Sequence, residues 1–420
     1  MQPLDVPLGE IDLSSIDFWL APEEYREGAF RTLRHQEPVK WFEGFRPLEG
    51  VDNPFFDGRG YWSLTGYDDI WHASRNPQLF CSSRGGVNIA DMPGEVAEFF
   101  GSMIAMDDPK HARLRGIVQK GFTPKMIAKV EDYVRGKARG VVDGIIERFP
   151  ERQCDFVEEV AALLPLQIIC EMMGIPEADE KQIFHWTNVI LGVGDPDFAP
   201  TFDDLLKTSM EIYAYAQALG EDRLKNPKED ITSTLMHAEV DGERLSTQEF
   251  GSFFILLVVA GNETTRNAIS WGMKMLTEHP DQKAMWFADY DRHAKTAAEE
   301  IVRWATPVIH FRRTATADTE IGGVKIAEGD KVVYWYNSAN RDETKFDDPY
   351  RFDITRDPNP QVGYGAGGPH FCLGANLARR EITVMFEEIA RRLPTLEITG
   401  EPARLQSSFI HGIKRMPCAW

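Results

Sequence analysis

From Ser246 to His279-Pro280 the chain keeps one helical period, and that helix limits what it can fold into. Ser246 and Glu249 form a capping box at its start, and Pro280 marks its end. Its apolar centre, FFILLVVA from Phe253 to Ala260, falls well short of the roughly 20 residues that cross a membrane. The helix is therefore expected inside a protein core. Helical periods also fill the region before it. HARLRGIVQKGF, MIAKVEDYVRGKARGVVDGIIERF and LPLQIICEMMGI each repeat apolar residues at three- and four-residue steps.

After the long helix, AKTAAEEIVRWAT predicts a second one ending at Pro307. TATADTEIGGVKIAEGDKVVYW predicts β-hairpins turning at Gly322-Gly323 and Glu328-Gly329, and a last helix is expected from about Leu373 to Leu393. The first hundred residues carry many Pro, Gly and aromatic residues and one strand-like run, GYWSLTGYDDI. The tail, FIHGIKRMPCAW, predicts a closing strand pair. The fold class is mainly α with a minor β component, and no repeat or low-complexity linker divides residues 1–420.

With 43% hydrophobic residues, 420 residues suffice for a large core. The formal net charge of −20 excludes a general nucleic-acid binder, because nothing offsets repulsion from phosphates. Five cysteines (Cys81, Cys154, Cys170, Cys372, Cys418) form neither a disulfide framework nor a CxxC pair, and the N-terminus lacks a signal-peptide pattern. A soluble cytoplasmic protein without a membrane span is expected.

The stretch YGAGGPHFCLGANLARRE, Tyr364 to Glu381, admits two chemistries. With the preceding residue its glycines read Gly363-x-Gly365-x-x-Gly368, and Glu388 lies where a ribose-binding acid belongs. The dinucleotide reading fails on context. DPNPQV, broken by prolines, is no central strand, and Glu388 falls inside the following helix. The sulfur reading explains more. Cys372 at a helix N-terminus meets unpaired N–H groups that stabilise a thiolate. Gly367 and Gly368 allow a tight turn, and Gly374 lets backbone approach a flat cofactor. The other four cysteines read as inert core residues.

GGPHFCLG resembles the haem-binding loop of the cytochrome P450 family, in which the cysteine thiolate is the axial iron ligand. That family usually has an aromatic seven residues before the cysteine. Here Gly365 stands there and the aromatic is Tyr364, one position earlier, so the loop is one residue longer. AGNETT resembles the family's oxygen-activation motif and implies Glu263 and Thr264 as the catalytic acid–alcohol pair, with small Ala260-Gly261 beside them. On its own, such a threonine often bonds back to a carbonyl four residues earlier. EEIVR resembles the family's E-x-x-R pair, Glu300 and Arg303, which Arg351 from NRDETKFDDPYRFD would complete as a structural cluster behind the haem. His111 and Arg115 in HARLR, Arg313 in RRTATAD and His370 match positions that hold haem propionates. Singly, each reads as an ordinary surface residue.

The resemblance implies the P450 fold, a single triangular haem-containing domain over residues 1–420. It also implies haem b, O2 as co-substrate and electrons from a ferredoxin served by a reductase. Arg113, Arg379 and Arg380 are candidates for its docking patch, against an ordinary solvated helix face. Two rivals are a peroxide-driven peroxygenase and a non-catalytic haem sensor. The intact Glu263-Thr264 pair argues against both.

For the substrate, Leu256, Val259, Ala260, Ile309, Phe409 and Ile410 suggest an apolar pocket, although core packing explains each equally well. LPLQIICEMMGIP, IFHWTNVILG and FIHGIK resemble the branch of the family that hydroxylates methyl-branched lipids at the terminal carbon, and its steroid side-chain-hydroxylating relatives. FFGSMIAMDDP and VILGVGDPDFAPTF leave room for shorter terpenoids.

Overall fold

A computed structural model describes residues 1–44, 58–91, 102–119, 124–192, 194–198, 201–240 and 242–420. Parts of three sequence stretches lie outside the described residues: 99–101 of FFGSMIAMDDP, 120–122 of HARLRGIVQKGF, and 193 with 199–200 of VILGVGDPDFAPTF.

Among the described residues, most of the helical ones lie in α1 Glu23–Gln36, α2 Tyr67–Ser74, α3 Lys110–Gln119, α4 Pro124–Arg148, α5 Leu163–Met173, α6 Glu180–Leu191, α7 Phe202–Lys225, α8 Thr247–Glu278, α9 Tyr290–Ala305 and α10 Ala375–Arg392. The capping box is present: the Ser246 hydroxyl accepts from the Glu249 N–H, while Glu249 accepts from the Ser246 N–H. Residues 247–278 thus form one helix. It runs through the protein against α5, α6, α7, α9 and α10, with most of its side chains buried. No described helix is long and apolar enough to cross a membrane.

The strands are short: β1 Val39–Phe42, β2 Tyr61–Leu64, β3 Phe80–Cys81, β4 Gln153–Asp155, β5 His310–Ala315, β6 Thr319–Ile321, β7 Val324–Ile326, β8 Lys331–Trp335, β9 Glu397–Ile398, β10 Ala403–Arg404, β11 Ile413–Arg415 and β12 Pro417–Ala419. One sheet has the order β1-β2-β8-β5-β3, with β8 parallel to β2. The hairpins of RRTATAD through KVVYW lie where the alternation put them. Their turns use glycines at positive φ: Gly322 +55°, Gly323 +80° and Gly329 +89°. Helix α1 is absent from the sequence reading, because Pro and Gly around it masked a modest helical period. The tail departs as well. Its two strands do not pair with each other: β11 joins β10, and β12 sits between β9 and β4.

Between α9 and the cysteine loop, one buried ion pair organises the chain. Glu300 and Arg303 are both fully buried on α9. All five guanidinium N–H groups of Arg303 are used: two on Glu300 at 2.7 Å each, the others on the carbonyls of Asn340, Pro349 and Arg351 at 2.8–3.1 Å. Burial pushes the Glu300 carboxyl up, but Arg303 and Arg356 outweigh it and hold the group below its ordinary range. The third member is therefore Arg356, whose Nε donates to Glu300 at 3.2 Å. Arg351 contributes only its carbonyl, and its side chain is exposed. The motif puts both arginines within reach, and backbone direction after Pro349 decides between them.

Glu300→Ala leaves a buried guanidinium without its anion and is expected to cost about 3–5 kcal/mol. Arg351→Ala is expected to stay within about 0.5 kcal/mol. Denaturant unfolding of the two variants checks the ranking.

Candidate active site

The cysteine loop is built from turns that its glycines permit. Gly365 has φ +101° and Gly368 +79°, and a Cβ on Gly368 would come within 2.2 Å of the Ser74 carbonyl oxygen on α2. The spaced glycines thus serve a tight turn and a close approach to α2. No strand precedes them, and Glu388 is buried within α10. Cys372 donates its N–H to the Tyr364 carbonyl at 2.9 Å, which closes the longer loop. The Arg379 guanidinium lies 4.3 Å from the Tyr364 ring centroid, and Arg115 donates to the Phe371 carbonyl at 2.6 Å.

The helix begins at Ala375, three residues after Cys372. Cys372 is exposed as a residue, yet protein atoms crowd around its sulfur. Burial pushes the thiol pKa up. The N–H groups of Gly374 and Ala375, with Arg115 and Arg379, pull the other way without cancelling it. A helix N-terminus alone does not make this sulfur a thiolate. A metal cation bound to it would.

Four donors gather beside the loop. The His111 and His370 rings are 4.2 Å apart, and His370 meets the Ser82 hydroxyl at 3.2 Å. Burial, then Arg313, His111 and Arg115, depress the His370 pKa to about 2. Arg313 is buried on β5, its Nη1 on the Arg312 carbonyl at 2.7 Å. The Nδ1 of His111 faces Asp108 at 3.2 Å, but its buried Nε2 lacks a hydrogen-bond partner among the described residues. Such a cluster with an orphaned buried nitrogen suits an anionic ligand. A flat iron porphyrin with carboxylate arms fits these residues: the sulfur for the iron, His111, Arg115, Arg313 and His370 for the carboxylates.

On α8 one stripe differs from the rest of the helix. Leu256, Val259, Ala260 and Thr264 keep accessible surface while most neighbours are buried, and their spacing puts them on one helical face. Thr264 Oγ1 donates to the Ala260 carbonyl at 2.9 Å. Glu263 is buried and ion-paired with Arg266, which donates to Asn188 Oδ1 on α6 at 2.8 Å. Burial raises the Glu263 pKa against the pull of Arg266, and one carboxyl oxygen has no partner among the described residues. The sequence reading missed Arg266, although Glu263-x-x-Arg266 repeats the spacing that marked Glu300 and Arg303. It also missed Glu381 on α10, whose burial lifts its pKa to about 8, eased by the Thr265 hydroxyl.

Ile309 and Ile410 are buried, whereas Phe409 is only half-buried, with its ring against His310 and Phe311 at 5.4 and 5.7 Å. Ile309 sits in a core with Trp19, Phe30 and Trp335, so it meets the site through its backbone N–H, which donates to the Phe409 carbonyl at 2.8 Å. The three arginines considered for docking are each matched by an acid: Arg113 with Glu249, Arg379 with Glu299 and Arg380 with Glu131. They do not form a net basic patch.

The cytochrome P450 family model matches residues 97–407. The methyl-branched lipid omega-hydroxylase of Mycobacterium tuberculosis is 56% identical over 418 residues, 100% of this chain and 96% of that protein. The steroid C26-monooxygenase of Mycolicibacterium smegmatis is 42% identical, covering 96% of this chain and 92% of that one. A Mycobacterium marinum cytochrome P450 solved with pseudoionone superposes with a TM-score of 0.91 at 41% identity, covering 99% of both chains.

His310, beside Phe409, has its pKa lowered from 6.5 to about 4 by burial, against a hydrogen bond with the Ser408 carbonyl. The unfolded chain takes up that proton first, so stability is full above pH 6.5 and is lost as the pH falls toward 4. Acidification from pH 7 to 5 is expected to remove about 2 kcal/mol through this group. Unfolding of His310→Gln across the same range should show a correspondingly shallower pH slope.

Proposed function

The chain belongs to the cytochrome P450 family, and from that premise we propose that it hydroxylates the terminal carbon of methyl-branched lipids or isoprenoid-like chains. The observation that carries this reading is the accessible apolar stripe on α8 that ends at Thr264 beside buried Glu263. Identity of 56% along the whole chain to a methyl-branched lipid omega-hydroxylase supports the substrate class.

In this reading the Cys372 sulfur would hold the iron of haem b, and Gly374 and Ala375 donate their N–H groups to that sulfur. His111, Arg115, Arg313 and His370 hold the propionates. Haem iron supplies the activation of O2 and the transfer of one oxygen atom to a C–H bond. The small residues Ala260 and Gly261 would leave space for a small molecule beside Thr264. Thr264 presents its hydroxyl there, held by the Ala260 carbonyl. Glu263 resupplies the proton, and burial, which raises its pKa against the pull of Arg266, favours the proton-holding form. Delivery requires its carboxyl to leave Arg266. The walls are Leu256, Val259 and Phe409.

A primary C–H bond is stronger than the tertiary one beside it, so terminal attack demands positioning. A narrow channel that admits only the chain end supplies it. We propose a ferredoxin with its reductase as electron source. Arg113, Arg379 and Arg380, each paired with an acid, would offer it no net positive charge of their own. The five cysteines, all unoxidised, suit a reducing cytoplasm.

Titration of the ferric protein with a methyl-branched fatty acid and its straight-chain counterpart, followed at the Soret band, tests the substrate class. Tighter binding of the branched chain with oxygen found at its terminal carbon is expected. Equal binding, or stronger binding of a sterol or a short terpenoid, would discard the branched-lipid assignment while leaving the family intact. Thr264→Ala and Glu263→Gln are each expected to slow product formation about 10²-fold. Substrate affinity should stay within a few-fold, as read by steady-state turnover beside the same titration.

A further inference from the structure

Away from the site, β4 and β12 run antiparallel with Cys154 directly opposite Cys418. Their sulfurs are 3.6 Å apart, the one sulfur–sulfur contact among the described residues. Directly opposed residues of an antiparallel pair have Cα atoms about 4.5–5.5 Å apart, inside the range a disulfide spans. Closing the remaining gap needs side-chain rotation and no strand movement. The strands are held in register on both sides. Phe156 N–H donates to the Met416 carbonyl at 2.8 Å and Trp420 N–H to the Arg152 carbonyl at 3.1 Å.

We propose that Cys154 and Cys418 are a reversible disulfide site that locks the C-terminal strand onto β4. Cys154 is half-buried and within reach of a small reagent, while Cys418 is fully buried behind it. That asymmetry orders the steps for a low-molecular-weight disulfide as oxidant. The Cys154 thiolate attacks the reagent, forming a mixed disulfide and releasing one reagent thiol. The Cys418 thiolate then attacks the Cys154 sulfur; the new S–S bond forms, the mixed bond breaks and the second reagent thiol leaves. Two electrons pass from the cysteine pair to the oxidant, and the two cysteine protons end on the released thiols. In the reduced protein the two sulfurs are already 3.6 Å apart, which places Cys418 for that second step.

The cross-link would join positions 264 residues apart. The loop it closes takes in α5 to α10 and Phe409, so it restricts the unfolded chain strongly. Cys170 has no such option: it is buried within α5, and among the described residues no cysteine sulfur stands against it.

The experiment exposes the haem-loaded protein to oxidised glutathione, alkylates the remaining thiols in denaturant and maps peptides by mass spectrometry. The expected result is a Cys154–Cys418 cross-linked peptide that dithiothreitol releases, with Cys81 and Cys170 alkylated. The melting temperature of the oxidised protein should rise by a few degrees, and the rise should vanish in Cys154→Ser and Cys418→Ser. Recovery of both cysteines alkylated, or of glutathione retained on Cys154 with Cys418 free, would overturn the proposal. So would a cross-link that involves any other pair.

Discussion

The buried pair of Glu300 and Arg303 costs desolvation that the fold must offset, and it does so by using every hydrogen-bonding group the two side chains own. Arg303 spends five N–H groups on one carboxylate and three loop carbonyls. Glu300 also accepts from the Asp353 N–H at 2.9 Å and from Asn359 at 3.1 Å. The long coil between Asn340 and Val362 is thereby wrapped on a single point of α9. Asn340 extends that control, since its side chain accepts from the Val362 N–H at 2.8 Å. The next residue is Gly363, where the cysteine loop begins. Breaking the pair would unfasten the path to Cys372 as well as expose a charge.

Burial sets the electrostatics of the site in the same way. It raises the Cys372 thiol, the Glu263 carboxyl and the Glu381 carboxyl, and it depresses His370 and His310. Each group is held toward its neutral form until a partner of opposite charge arrives. The proposed haem answers two of these conditions at once, with a cation for the sulfur and anions for His111, Arg115, Arg313 and His370. Glu263 differs, because its partner Arg266 is already in place. Its proton traffic therefore depends on a contact within α8 and on Asn188 from α6.

What the sequence made legible were residues whose relation is local. Ser246 with Glu249, Glu300 with Arg303, and the stripe from Leu256 to Thr264 are fixed by helical spacing alone, and the structure has them on shared faces. Relations across the chain were less legible. Arg351 and Arg356 both stand in the same short coil, and only the backbone path shows that Arg356 reaches the carboxylate. Ile309 has the composition of a pocket residue, but it is buried in a core that includes Trp19, Phe30 and Trp335. Arg379 has the charge of a docking residue, but Glu299, distant in sequence, takes it. The thiol pKa was misjudged for a similar reason: the nearby N–H groups are visible in the sequence, and the burial that outweighs them is not.

The central claim is that Cys372 binds haem iron as a thiolate, and its most direct test is spectroscopic. Absorption and electron paramagnetic resonance spectra of the haem-loaded protein and of Cys372→Ala would be compared, with Cys81→Ala as a control. The account expects a thiolate-ligated ferric haem in the parent and in the control, and its loss in Cys372→Ala. A thiolate signature that survives in Cys372→Ala, or that is missing from the haem-loaded parent, would contradict it.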